Sequence, residues 1–100
     1  QSLTPNYEIA TTVLSDSSKT HYNKTYNVIK DSWFRCEHIC DNGYGWGHVN
    51  INTVNVVGFR AMPLDTTHYA YSTTMIFAPK GSTLTIVGGD GMTVTVSEIG

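Results

Sequence analysis

One hundred residues suit one domain with a single core, and six Lys and Arg stand against eight Asp and Glu, a formal net charge of −2. Charged residues are only 14% of the chain, while Thr, Ser, Asn, Tyr and Gly are plentiful, which fits an extracellular or particle-borne β-protein better than a cytosolic enzyme. The scattered basic residues make no patch able to displace counterions from phosphates, which argues against a nucleic-acid partner, and no apolar run approaches the ~20 residues of a membrane-spanning helix.

In chain order, Gln1 to Glu8 reads as an extended lead-in, since Pro5 and Asn6 discourage regular structure. The chain opens on Gln1 without a Met or a signal-like apolar stretch, so it is expected to be a piece of a longer product. Ile9 to Leu14 is a short strand, and Ser15 to Asn23 a polar loop. Thr25 to Ile29 alternates weakly, with Tyr26 and Val28 against Thr25 and Asn27, before a turn at Lys30-Asp31-Ser32. Trp33 to Cys40 reads as the first strand of a hairpin, with Phe34, Cys36, His38 and Cys40 on its core face. Asp41 to Gly45 holds residues that tolerate positive φ, so the chain is expected to reverse there. Trp46 to Ile51 then returns with Val49 and Ile51 inward. Asn52-Thr53 joins it to Val54 to Val57, although a two-residue turn more often has Gly in the second place.

Gly58 to Tyr71 has no clean period and contains Pro63, so it is expected as a long loop or irregular edge strand. Three alternating runs follow from Ser72, punctuated by Pro79-Lys80-Gly81 and by Gly88-Gly89-Asp90-Gly91. Leu84 and Ile86 oppose Thr83 and Thr85; Met92, Val94 and Val96 oppose Thr93, Thr95 and Ser97. These runs predict antiparallel sheet. No segment keeps a helical apolar stripe for three turns. About eight strands with turn signals every ~8–12 residues predict an all-β, antiparallel, jelly-roll-like sandwich over residues 9–100, after a lead-in over 1–8.

Several stretches carry a resemblance: Thr4-Pro5-Asn6-Tyr7, Tyr26 to Trp33, Gly43 to Asn52, and Ile76 to Gly81 followed by Ser82 to Ile86. In order and spacing, over nearly the whole chain, they resemble the small C-terminal modules of bacteriophage and prophage tail-fibre or tail-spike proteins. That family is of the trimeric jelly-roll kind related in shape to C1q and TNF heads. Thr53 stands where its hairpin Gly is expected, and Ser82 replaces an Asp after the lysine-glycine turn; both departures touch local turn geometry. The resemblance implies a homotrimer that caps a fibre on the virion and binds a bacterial surface receptor, a glycan or a protein. A purely structural trimerisation cap and a secreted C1q/TNF-like ligand are the alternatives. A threefold assembly would also bury the second apolar face expected from Trp33, Ile39, Val57 and Ile76.

The chemistry-bearing residues point away from catalysis. His21, His38, His48 and His68 show no His-x-His or His-x-x-x-His spacing, although His38 and His48 could neighbour each other across the expected hairpin. A cupin-like metal enzyme is therefore disfavoured, and no metal or other cofactor is expected. Cys36 and Cys40 on a strand lie ~13 Å apart, too far for a disulfide, and are expected as free inward thiols. No Gly-x-Ser-x-Gly elbow occurs, and the carboxylates sit mostly in turns. Asn23-Lys24-Thr25 matches a glycosylation acceptor that would be idle in a phage product. The stronger candidate surface is aromatic and polar: Asn42, Tyr44 and Trp46 in one loop, His68, Tyr69 and Tyr71 in another. Aromatic faces stack on sugar C–H surfaces while neighbouring amides and hydroxyls bond the sugar hydroxyls.

Overall fold

The computed structural model describes residues 10–17, 21–40, 45–61, 70–89 and 92–100, the side chains at 40, 59–61 and 70–72 excepted. Among these residues there are eight strands and no helix. They are β1 (Ala10–Asp16), β2 (Tyr22–Asn27), β3 (Ser32–Cys40), β4 (Gly45–Ile51), β5 (Val54–Ala61), β6 (Ala70–Ala78), β7 (Thr83–Gly89) and β8 (Met92–Ile99). Two antiparallel four-stranded sheets form, a first in the order β1-β8-β3-β6 and a second in the order β2-β7-β4-β5. The sandwich is that of a jelly roll.

The order follows from a simple construction. Pairing β1 with β8, β2 with β7, β3 with β6 and β4 with β5 makes one long two-stranded ribbon whose tip is the β4–β5 turn. From Leu14 facing Val96, through Tyr22 facing Gly88, to Cys40 facing Ala70, the numbers of facing residues keep one constant sum. Val28, between β2 and β3, stays in the same phase: its N–H donates to the Ser82 carbonyl at 2.9 Å, and its carbonyl accepts from Gly81 N–H at 2.9 Å. Rolling this ribbon adds the two remaining pairings, β3 with β8 and β4 with β7.

Alternation along a strand then sorts the side chains. Phe34, Cys36, Val49, Leu84, Ile86, Met92, Val94 and Val96 are fully buried between the sheets. Each apolar chain of this size contributes roughly 1.5–3 kcal/mol when removed from water. The core faces expected of β3, β7 and β8 are observed at each described side chain, Cys40 lying outside the description. Two cross-sheet hydrogen bonds tie β2 to β8: Tyr22 Oη donates to the Met92 carbonyl at 2.6 Å, and Tyr26 Oη to Glu98 Oε1 at 3.3 Å. An ion pair between Lys24 Nζ and Asp16 Oδ2, at 3.2 Å, closes the same edge between β2 and β1.

Four expectations are corrected. The polar loop over Ser15 to Asn23 is shorter, because β1 runs to Asp16 and β2 starts at Tyr22. Among its described residues, Ser15 lies on an edge strand with its Oγ 3.2 Å from Thr95 Oγ1. The hairpin of Trp33 to Cys40 with Trp46 to Ile51 does not form, since β3 and β4 lie in different sheets. Of the last three strands, β6 and β8 flank β3 in the first sheet and β7 lies in the second. Val57 is in the core rather than on an outer face, because it faces inward-pointing Val49 across the ladder, and Ile76 packs against the same core beside Phe34.

The stretch from Gly58, expected as a long loop or irregular edge strand, is edge strand as far as Ala61 and again from Ala70. A bulge just before it shifts the phase of β5: Val49 faces Val57 but Asn50 faces Asn55, which leaves Val56 as the extra residue. At the ribbon's tip, Asn52 takes a left-handed φ of 57°, so Thr53 needs no glycine in its place. The turn is also held from outside, by Asn52 N–H donating to the Thr83 carbonyl at 2.7 Å and Thr83 N–H donating to Asn52 Oδ1 at 3.1 Å.

Candidate functional site

Of the six residues expected at a receptor site, Asn42, Tyr44, His68 and Tyr69 lie outside the described residues. Tyr71 faces Ile39 in the β3–β6 ladder, and its side chain is likewise outside the description. Trp46 is described and half-buried. It stands on β4 opposite Gly89 of β7, on the outer face of the second sheet, because its neighbours Gly45 and Gly47 point inward.

The seat of Trp46 is set by glycine. A Cβ on Gly89 would lie 3.4 and 3.5 Å from Cζ2 and Cε2 of the indole and 2.8 Å from Cδ2 of His21. The missing side chain therefore lets the indole lie across β7 towards His21, whose ring meets it edge-on at 5.2 Å between centroids. On the other side His48, the next outward residue of β4, is tilted at 31° with centroids 6.1 Å apart. The residue preceding β2 thus joins two residues of β4, a grouping that the sequence did not suggest. Its signal lies in the non-local β4–β7 register rather than in any motif.

Below this aromatic group the outer face is neutral and polar. In register, His48 faces Val87 and Val87 faces Asn23; Asn50 faces Thr85 and Thr85 faces Thr25; Thr83 faces Asn27. Thr83 Oγ1 donates to Asn27 Oδ1 at 3.3 Å. Asn50 Oδ1 is shielded from solvent and has no hydrogen-bond partner among the described groups.

The outer face of the first sheet differs. One row runs Ala10, Ile99, Trp33, Phe77 across its four strands. Trp33 and Phe77 meet edge-to-face at 5.6 Å, and Phe77 remains 45% exposed. Met75 follows on β6, facing Arg35, and at the far end Ile39 is 42% exposed. Arg35 Nε donates to Glu37 Oε1 at 3.2 Å between these apolar ends. Trp33 and Ile39 are therefore where the sequence placed them, and Phe77 takes the role expected of Val57 and Ile76.

Among the described histidines, His38 stands apart from the two beside Trp46. His38 is buried on the core face of β3, and burial lowers its pKa below the usual value; His48 is on the opposite sheet, so the two do not meet across a hairpin. No group of three His, Cys, Asp or Glu stands together among the described residues. Cys36 is a free buried thiol, pushed up to about 12 by desolvation, the reverse of what a thiolate nucleophile needs. Cys40's side chain lies outside the description. Glu98 is held by Ser32 Oγ, which donates to Oε2 at 2.8 Å, and by Tyr26, so this carboxylate pins the two sheets together. No protein-family model matches the chain, and no curated protein sequence matches it.

Proposed function

We propose that this chain is a non-enzymatic, homotrimeric jelly-roll module at the tip of a phage or prophage tail fibre, where it binds a glycan receptor on the bacterial surface. The observation that carries the reading is the inequality of the two outer faces. Packing the core constrains only inward residues, yet the first sheet's outer face sets Trp33 against Phe77 with Met75 and Ile39 further along, while the second's described outward rows are mostly Asn and Thr beside Trp46, His48 and Val87, with the smaller Val54 and Val56 exposed on edge strand β5. An exposed aromatic pair such as Trp33 and Phe77, extended by Met75, on a small domain favours association. Three copies arranged about an axis would bury it in a closed ring. The polar face would then remain outward, available to a receptor.

Sedimentation velocity on the full chain at micromolar concentration tests this. The parent is expected as a trimer and Phe77→Asp as a folded monomer with an unchanged far-UV spectrum. Removing a central aromatic anchor should weaken association by about 30-fold or more. A parent that stays monomeric would overturn the proposal.

A further inference from the structure

We propose that the outer face of the second sheet is the glycan site of this module, with Trp46 as its stacking platform and neutral hexopyranoses as its ligands. The inference rests on the reading of a receptor-binding module, and it moves recognition from the loops to a sheet face. Trp46 lies over Gly89, so one face of the indole is spent on backbone, and His21 and His48 brace its edges. A flat, half-exposed ring fixed in this way offers its remaining face to the C–H surface of a sugar at little cost in side-chain entropy.

The floor beside it is open. Gly58 of β5 faces His48, and a Cβ built there meets nothing within 4 Å. A pyranose stacked on Trp46 could extend over Gly58 without steric conflict. Next along β4 comes Asn50, a half-buried amide in the same outward row, facing Thr85. Asn23, Thr25, Thr85 and Asn55 add amides and hydroxyls within the following rows. The outward positions of this sheet are mostly amides and hydroxyls, which match the hydroxyls of neutral sugars; Arg60, opposite Trp46 in the β4–β5 ladder, is a cationic position on the same face, and the acidic probe tests whether it redirects the site. The face is shallow, so a single site would bind weakly, and three copies on one fibre tip would supply the avidity.

The test is an amide NMR titration of the full chain with cellohexaose, maltohexaose and a galacto-oligosaccharide, and with polysialic acid as an acidic probe. Expected are millimolar binding of at least one neutral probe, shifts centred on residues 46–50, 58 and 85–89, and a loss of about tenfold or more in Trp46→Ala. Because that variant could disturb the seat over Gly89, Gly58→Gln serves as a second one. It fills open space on an exposed strand and should keep the fold while blocking the neighbouring sugar. Shifts confined to residues 41–44 and 62–69 would overturn this site and leave a glycan-binding module standing. Response to the acidic probe alone would overturn the neutral ligand class. Failure of every probe with a trimeric parent would overturn the site without touching the assembly.

Discussion

Gly88→Ala should be among the most damaging single-methyl additions in this chain, although general propensity predicts the reverse. Glycine inside a strand is worse than alanine by roughly 0.5–1 kcal/mol, so the exchange would ordinarily stabilise. Here a Cβ on Gly88 would overlap the Tyr22 hydroxyl and lie 2.6 Å from Tyr22 Cζ and 2.9 Å from the Trp46 carbonyl oxygen. The carbonyl belongs to the β4–β7 ladder and cannot retreat. Tyr22 must therefore swing away, which breaks its 2.6 Å bond to the Met92 carbonyl across the sandwich. Overpacking costs about 1–3 kcal/mol and an orphaned buried acceptor about 1–3 kcal/mol. Set against the propensity gain, the net loss is about 3 kcal/mol, or a fall of about 15 °C in Tm for a domain of this size.

Urea unfolding at neutral pH measures it: the midpoint should fall with the slope unchanged, as for a loss of stability alone. Gly58→Ala is the matched control, because open space surrounds that position, and it should leave stability unchanged or raise it by about 0.5 kcal/mol. In a Tyr22→Leu background the added methyl should cost at least about 1 kcal/mol less than in the parent, since the ring tip it strikes is gone. Equal or greater stability of Gly88→Ala, or the same penalty in both backgrounds, would refute the packing argument.

Two further outcomes follow from the ribbon's tip and from the core. Asn52→Ala should cost about 2 kcal/mol by thermal melting, combining left-handed strain with loss of the bond to Thr83 N–H; Asn52→Gly should cost less, because only the bond is lost. Alkali should destabilise the fold through Cys36, whose pKa burial raises from 9.0 to about 12. The folded state keeps the proton that the unfolded chain releases, so this stability is complete below pH 9 and drains away as pH rises towards 12. By pH 10 the loss is about 1.4 kcal/mol. Tyr22, raised from 10.0 to about 12 by burial first and by nearby Asp16 second, adds a smaller loss in the same direction. The pH slope of stability in urea should therefore be shallower in Cys36→Ala than in the parent, and identical slopes would contradict the burial effect.

The inward residues were legible because alternation is local: Phe34, Leu84, Ile86, Met92, Val94 and Val96 each follow from the residues on either side. Pairing was not legible, because a glycine-rich break such as Gly43 to Gly45 marks a change of direction without saying whether the next strand returns to the same sheet or crosses to the other. Val57 was misplaced for a related reason. One extra residue at Val56 inverts the phase of everything beyond it, and neither its neighbours nor its own side chain announces the bulge. For the candidate site, Trp46 could be singled out as an aromatic beside glycines. That His21 and Gly89 complete its surroundings depends on contacts spanning much of the chain.

The rolled ribbon also explains why the outer faces could diverge in chemistry while the core stayed uniform. One unbroken phase from Leu14 to Cys40 and its partners means that every outward position of the first sheet's β3–β6 pair belongs to one alternating set, Trp33 with Phe77 and Arg35 with Met75. Substitutions in that set leave the core untouched, so burial alone would leave the set polar, as it is on the second sheet at Asn23, Thr25, Asn27, Thr83 and Thr85. Keeping Phe77 45% exposed exerts an aggregation cost on an isolated domain and has no internal benefit beyond its contact with Trp33. A covering partner removes that cost; on the second sheet the exposed apolar side chains among the described residues are the smaller Val54 and Val56 of edge strand β5. The proposed self-association through the first sheet and the proposed ligand recognition on the second are therefore separable by mutation: Phe77→Asp should yield monomers that still shift at residues 46–50 on adding a neutral oligosaccharide.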